Sequence, residues 1–402
     1  MSRKNIRATD EKRVKFQRTT SKKNFNDSKK ISRDVSRQSR VTIRAEPIKS
    51  NGNLQTTLSS DKSERTLPGG RGSTPRSRST YGNAVRKARG RHDDRRPNFN
   101  IDVPSNGYAW WYVDGLSHDK SKAISIIGFI GSVFSPWYSW AGRKNPANHC
   151  CINAALYGKG WRWAMTERGS DALKRSTDQL RVGPSEFVWQ SDRLTINLDE
   201  VSNPHCDKVK GSINIIPSNL SNIEVALTRD GAHIWRPFAP NASIEVDIDK
   251  PGWNWKGSGY FDANFGTRAL EQDFSYWTWA RLPLNDGSAA FYDAKLRDNS
   301  ELSVSLKFMK NGVVEHLDPP PMTRLSRSLW AVRRETRADS GYKPYQVKHM
   351  LDTPFYTRSA IKTSVKGEES VGVHEALDLD RFSNPLLKPM LALRVPRRSR
   401  WG

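Results

Sequence analysis

A period-two alternation of apolar and polar residues, recurring in short runs beyond residue 100, restricts this chain's fold more than any other feature. Leu194, Ile196 and Leu198 alternate with polar neighbours, and Ile244, Val246 and Ile248 alternate with Glu245, Asp247 and Asp249. Leu302, Val304, Leu306 and Phe308 do the same with Ser303, Ser305 and Lys307. Residues two apart on a strand share a face, so each run predicts a half-buried strand. Between the runs stand Asp230-Gly231, Asp286-Gly287, Asp298-Asn299 and Asn311-Gly312, residue types that tolerate the positive φ of tight hairpins. Trp277 to Leu317 therefore predicts four antiparallel strands in a meander. No stretch beyond residue 100 sustains a three-turn amphipathic helix, Asp171 to Leu180 coming nearest. The expected class is all-β.

The first hundred residues lack this pattern. They hold 27 of the 66 Lys and Arg but 9 of the 42 Asp and Glu, which places +18 of the +24 net charge there. All 14 Trp lie beyond them, from Trp110 onward. A segment so charged and so poor in apolar residues cannot offset its conformational entropy by burial, so residues 1–98 are expected to form a disordered basic tail. The roughly 300 remaining residues exceed one small barrel and predict two in tandem, at 99–250 and 251–402, divided at the turn Lys250-Pro251-Gly252. An eight-stranded barrel has room for one small ligand, which makes a cavity inside a barrel plausible.

The longest nearly uncharged apolar stretch, 123–134, is 12 residues, short of the roughly 18 a membrane-spanning helix needs. The N-terminus has basic residues without an apolar run behind them and does not read as a secretory signal. Cys150, Cys151 and Cys206 are an odd set in a long chain, which fits reduced, buried thiols in a cytoplasmic protein.

There is no Walker-type phosphate loop and no Gly-x-Ser-x-Gly elbow, and His374-Glu375-Ala376-Leu377-Asp378 lacks the second His of a zincin. Gly257-Ser258-Gly259 opens like a dinucleotide loop, but Asp262 occupies the third glycine position. His149, Cys150, Cys151, His205 and Cys206 invite a zinc reading, yet the thiols are adjacent where spaced pairs are needed, so no metal is expected. Trp235, Trp253, Trp255, Tyr260, Trp277 and Trp279 crowd one region together with Asp262, Glu271 and Asp273. Tyr260 and Asp262 lie two apart on one strand and share a face. A carboxyl among aromatic rings is desolvated, which raises its pKa and makes it a general acid. The alternative is ordinary aromatic core with Asp262 as a strand-end or salt-bridge partner.

Several stretches resemble the carotenoid 1,2-hydratases, also called hydroxyneurosporene synthases. They include Gly128 to Tyr138, Asn148 to Gly158, Arg162 to Gly169, Gly257-Ser258-Gly259-Tyr260-Phe261-Asp262-Ala263-Asn264-Phe265-Gly266, Trp277-Thr278-Trp279-Ala280-Arg281, and Asp352 to Ser359. The resemblance runs in order from about Asp102 to Pro396 and leaves out the tail. It implies two tandem lipocalin-like barrels and hydration of the terminal C1–C2 double bond of an acyclic carotenoid, such as neurosporene or lycopene, to a tertiary alcohol. The acid it implies is Asp262, with Tyr260, Trp235 and His233 in the same site. Trp235, Tyr260, Asn264, Trp277 and Trp279 would line the substrate. His233 also reads as a surface residue following the Asp230-Gly231 turn. The family further implies a cytoplasmic protein, peripheral at the inner or photosynthetic membrane where its insoluble substrate resides.

The chemistry is consistent with those residues. Water does not attack an isolated alkene, so the bond must first be protonated, which leaves a tertiary cation for water to capture. Aromatic faces such as those of Trp235 and Tyr260 stabilise a cation by about 0.5–2 kcal/mol each. No redox cofactor enters this sequence. Three alternatives differ in what they require. A lipophile carrier on the same barrels needs no buried acid, another polyene enzyme needs a different product, and a nucleic-acid binder needs more than the mild charge of the residues after the tail.

Overall fold

The computed structural model describes residues 85–87 and 96–398, and the rest of the basic tail lies outside the described residues. The first sheet is built from β1 (Tyr108–Ser117), β2 (Ala123–Ile130), β3 (Cys150–Tyr157), β4 (Ser185–Gln190), β5 (Arg193–Val201), β6 (Lys208–Pro217), β7 (His233–Lys250) and β8 (Trp253–Gly266). Their spatial order is β3-β2-β1-β8-β7-β6-β5-β4, with Gln179–Val182 and Leu173–Arg175 continuing past β4. Apart from β3 and β4, which stand at opposite ends, neighbours in sequence among these strands are neighbours in space, and β1 also pairs with β8, so the up-and-down meander turns back on its own start. Leu180 and Phe187 lie against Gly128 of β2, which brings the far end of the sheet round to the near end. The result is a curled, barrel-like sheet.

The second sheet repeats this plan with β9 (Phe274–Leu284), β10 (Gly287–Leu296), β11 (Glu301–Met309), β12 (Tyr345–Asp352), β13 (Tyr356–Val365) and β14 (Glu368–Asp378). Its order is β11-β10-β9-β14-β13-β12, and once more the first long strand, β9, pairs with the last, β14. The expected all-β class with two antiparallel units in tandem is therefore what the chain forms. The predicted meander is also present, with Val314–His316 as its fourth strand.

Three expectations need correction. Lys250-Pro251-Gly252 closes the β7–β8 hairpin inside the first sheet, where Ile248 pairs with Trp253. The chain leaves that sheet only after Gly266, because an eighteen-residue β7 and a fourteen-residue β8 must run their full length before the ladder ends. Within the expected tail, Val85–Lys87 forms a strand antiparallel to Ile223–Val225. Cys150 and Cys151 are buried, but Cys206 is exposed.

Alternation along β1 explains where the core divides. Ala109, Trp111 and Val113 point into the curl of the first sheet with Ile124, Ile196, Ile213 and Phe261. Tyr108, Trp110 and Tyr112 point the other way and pack with Trp235, Tyr260, Trp277, Trp279 and Tyr292. The second core thus lies between the two sheets. Helix α2 (Leu387–Arg394) packs Leu387 and Leu391 against this core and is tied to helix α1 (Pro136–Trp140) by Lys388 Nζ donating to Ser139 Oγ at 2.6 Å.

Candidate active site

β8 carries Tyr260, Asp262 and Asn264 on the face that looks toward the second sheet. Phe261 and Ala263 point into the first core, so the period-two pattern itself aims the carboxyl between the sheets. Across the ladder Asp262 lies opposite Pro237 of β7 and Tyr112 of β1. Proline has no N–H for the ladder, and β7 shifts register between Pro237 and Ala239. A bulge therefore stands directly opposite the acid.

Asp262 is 4% exposed. Its Oδ2 accepts hydrogen bonds from Trp235 Nε1–H and Tyr260 O–H, both at 2.7 Å. Its Oδ1 is buried without a partner. Burial raises the pKa to about 8 against the two hydrogen bonds, and the carboxylates of Glu375 and Asp114 push in the same direction as burial. The proton then belongs on Oδ1, the oxygen with no donor aimed at it. An acid held protonated at neutral pH, with two donors ready to stabilise its conjugate base, is equipped to deliver a proton to a weak base.

Aromatic rings enclose this group from both sheets. Tyr260 and Trp279 have centroids 5.2 Å apart, and Tyr112 meets the Trp279 ring edge to face at 5.7 Å. Trp235 lies 5.7 Å from Tyr292, which in turn lies 5.9 Å from Trp277. The structure thus brings Asp262, Tyr260 and Trp235 together through hydrogen bonds and adds Trp279 and Trp277 from the opposite sheet. Asn264 is buried on the same face, in register with both Trp235 and Trp110.

His233 is fully buried, not at the surface. It stands opposite Gly266, four residues along β8 from Asp262, or about 13 Å at strand rise. Its Nε2–H donates to Asp273 Oδ2 at 2.7 Å, and its Nδ1 accepts from Tyr108 O–H at 2.8 Å. Burial lowers the imidazole pKa while Asp273 opposes the shift. Asp273 is further held by Arg268, and Glu271 pairs with Arg143, so both spare acids are engaged away from Asp262.

Sequence reasoning missed a buried ionic group beside the acid. Tyr112 shares its single hydroxyl proton between Glu375 Oε1 at 2.9 Å and Asp114 Oδ2 at 3.1 Å. Arg281 pairs with Asp114, and Arg358 pairs with Glu375 while also donating to Tyr112. Two guanidinium groups thus meet two carboxylates. The signal was present: Asp114 follows Tyr108, Trp110 and Tyr112 at period two, where an apolar residue is expected. Among the described residues, no three His, Cys, Asp or Glu converge as metal ligands. His149 pairs with Glu167, and the Cys150 and Cys151 thiols donate to the Ala147 carbonyl and the Ser132 hydroxyl.

Residues 126–402 match the family described as carotenoid hydratase CrtC. The acyclic carotenoid 1,2-hydratase of Cereibacter sphaeroides is 55% identical over 278 residues, which make up 69% of this chain and 99% of that protein. Its counterpart in Rhodobacter capsulatus is 51% identical over the same length and shares. The enzyme of that name from Thiocapsa roseopersicina is 41% identical over 326 residues, 80% of each chain.

Proposed function

The chain belongs to the carotenoid hydratase family, and we propose that it adds water across the terminal C1–C2 double bond of an acyclic carotenoid such as lycopene or neurosporene, with Asp262 as the acid. One observation carries the assignment of the acid: Asp262 Oδ1 is buried and unpartnered while Oδ2 already holds two donors. Protonation at the less substituted carbon leaves charge on the tertiary carbon. The new carboxylate keeps both hydrogen bonds, which favours proton release. The faces of Trp235, Tyr260, Trp277 and Trp279 surround the cation and exclude stray nucleophiles. Asn264, buried on the same face and in register with Trp235, adds a polar group beside the rings. His233 acts at one remove, fixing Tyr108 and Asp273 at the end of the site. Addition of water leaves the electron count of the pair unchanged, so this chemistry calls for no redox partner.

Substrate insolubility also bears on where the protein works. Among the described residues no helix is long and apolar enough to cross a membrane. Contact with a bilayer is supported by α2, which has no buried residue. Leu386 and Leu393 are 81% and 78% exposed there, and Trp140 of α1 is 51% exposed. From Ser383 to Arg398 the chain has no acid, and although Arg397 is paired with Glu167, Lys388, Arg394 and Arg398 complement anionic headgroups. A cleft of about 500 Å³, lined in part by Tyr157, Trp163, Met350, Leu351 and Arg394, opens at the C-terminal end of this helix. Tyr157 lies under the Arg358 guanidinium at 5.7 Å, linking the cleft to the ionic group beside Asp262.

Isotopic labelling tests the reaction directly. Purified protein with lycopene or neurosporene in liposomes should place one deuterium from heavy water on the less substituted carbon. Oxygen from labelled water should appear in a tertiary alcohol, in air or under nitrogen. Oxygen label arriving from O₂ would refute acid-initiated hydration, even with the same alcohol as product.

A further inference from the structure

Hydration moves two protons, one onto carbon and one off the attacking water, and Asp262 accounts for the first. We propose that Glu375, on the opposite sheet, is the base that receives the second. This rests on the hydration reading above.

Position is the first argument. Asp262 lies on β8 of the first sheet and Glu375 on β14 of the second. Glu375 is in register with Trp279, whose ring packs against Tyr260, the residue that donates to Asp262. Tyr112, in register with Asp262, reaches across and donates to Glu375 Oε1 at 2.9 Å. An alkene lying alongside the contacting rings of Tyr260 and Trp279 therefore has a carboxylic acid toward one sheet and a carboxylate toward the other. Once the acid has protonated one face, that face is occupied by Asp262 itself. Water reaches the cation from the side where Glu375 stands.

Exposure is the second. The Glu375 side chain is 15% accessible, whereas Asp114 is 0% and Asp262 4%. Of these three carboxyl groups, Glu375 is the most accessible to a water-sized molecule. Tyr356, two strands from β9 and next to Glu375 in the sheet, is likewise only partly buried.

Charge is the third. The groups facing Glu375 are Arg358, Tyr112, Tyr356 and Asp114. Arg358 pairs with Glu375 and Arg281 with Asp114, so each of these carboxyl groups has a guanidinium beside it, whereas the donors to Asp262 are the neutral Trp235 and Tyr260. Burial raises the Glu375 pKa and Arg358 opposes it. The net upward shift makes it a stronger base than a solvated carboxylate.

The proton and bond changes balance. The Asp262 O–H bond breaks as a C–H bond forms at the less substituted carbon. A water lone pair then forms the C–O bond to the tertiary carbon while one water O–H bond breaks toward Glu375. This leaves Asp262 ionised and Glu375 protonated, and transfer of one proton from Glu375 to Asp262 through solvent restores both. The sum is alkene plus water giving a tertiary alcohol.

The test uses the full chain with lycopene in vesicles made up in heavy water, following both the alcohol and deuterium in recovered lycopene. In Glu375→Gln, alcohol formation should fall at least about 100-fold. Recovered lycopene should still gain deuterium, because Asp262 protonates the alkene and an uncaptured cation returns a proton. Glu375→Asp keeps the charge opposite Arg358, guarding against loss of fold, and should lower alcohol formation at least about tenfold with deuterium uptake retained. Alcohol formation within threefold of wild type in both variants overturns the proposal. So does joint loss of alcohol and deuterium uptake in a folded variant, which would place Glu375 behind Asp262 instead of behind the water. Wild-type protein that makes no alcohol overturns the hydration reading itself, independently of either variant.

Discussion

Replacing Asp262 by Asn separates its role in the reaction from its effect on stability. In the native state the carboxyl keeps its proton to about pH 8, whereas in the unfolded chain it ionises near 3.8. Between those values the unfolded state binds fewer protons than the native state, so this group makes stability fall as pH rises. The slope is about 1.36 kcal/mol per pH unit, vanishing below about pH 4 and above about pH 8. The amide of the variant cannot ionise and lacks this slope. Its nitrogen takes the unpartnered Oδ1 position at a cost of about 1–3 kcal/mol, but that cost does not vary with pH. The difference in unfolding free energy between Asp262→Asn and wild type should therefore shift toward the variant by about 3 kcal/mol from pH 5 to pH 7. Other titrating groups are common to both proteins and cancel in the difference. Urea titrations followed by tryptophan fluorescence at half-unit pH steps measure it, and hydration by the variant should fall at least about 100-fold. A difference that stays constant with pH would mean that Asp262 is ionised in the native protein, and the acid assignment would fail.

Two further outcomes are expected. Trp235→Phe and Tyr260→Phe each remove one donor from Asp262 Oδ2 and leave a ring in place; a hydrogen bond to a charged group contributes about 1.5–3 kcal/mol, so each should slow hydration about ten- to a hundredfold. The alkaline limb of the pH–rate profile should move upward in both, and an unmoved limb would dissociate the donors from the acid. The paired variant Leu386→Ser with Leu393→Ser should lose at least about tenfold in sedimentation with vesicles containing phosphatidylglycerol at 0.5 M salt, where charge attraction by the tail is screened and apolar insertion persists. Equal sedimentation of variant and wild type would remove α2 from the membrane contact.

The local pattern of the chain determined its strands and which residues share a face. The runs at Leu194–Leu198, Ile244–Ile248 and Leu302–Phe308 are strands, and Tyr260 and Asp262 do point together, because alternation and hairpin chemistry act over a few residues. Resemblance in the Gly257 to Gly266 stretch also pointed to Asp262 as the proposed acid. Tertiary structure decided which side of the first sheet holds the chemistry. A face-sharing rule cannot tell the inside of a curled sheet from its outside, and the site lies outside it, in the core formed with the second sheet, not in a barrel interior. Only that packing sets Trp279, Tyr292 and Glu375 against Asp262 and buries His233, which the turn at Asp230-Gly231 left open to solvent. The ionic group of Asp114, Arg281, Arg358 and Glu375 is drawn from β1, β9, β13 and β14, as far as 261 residues apart in sequence. Charges that far apart carry no mutual signal along the chain. Their pairing, and the pKa of the acid they surround, follow from burial that exists only once the two sheets have closed on each other.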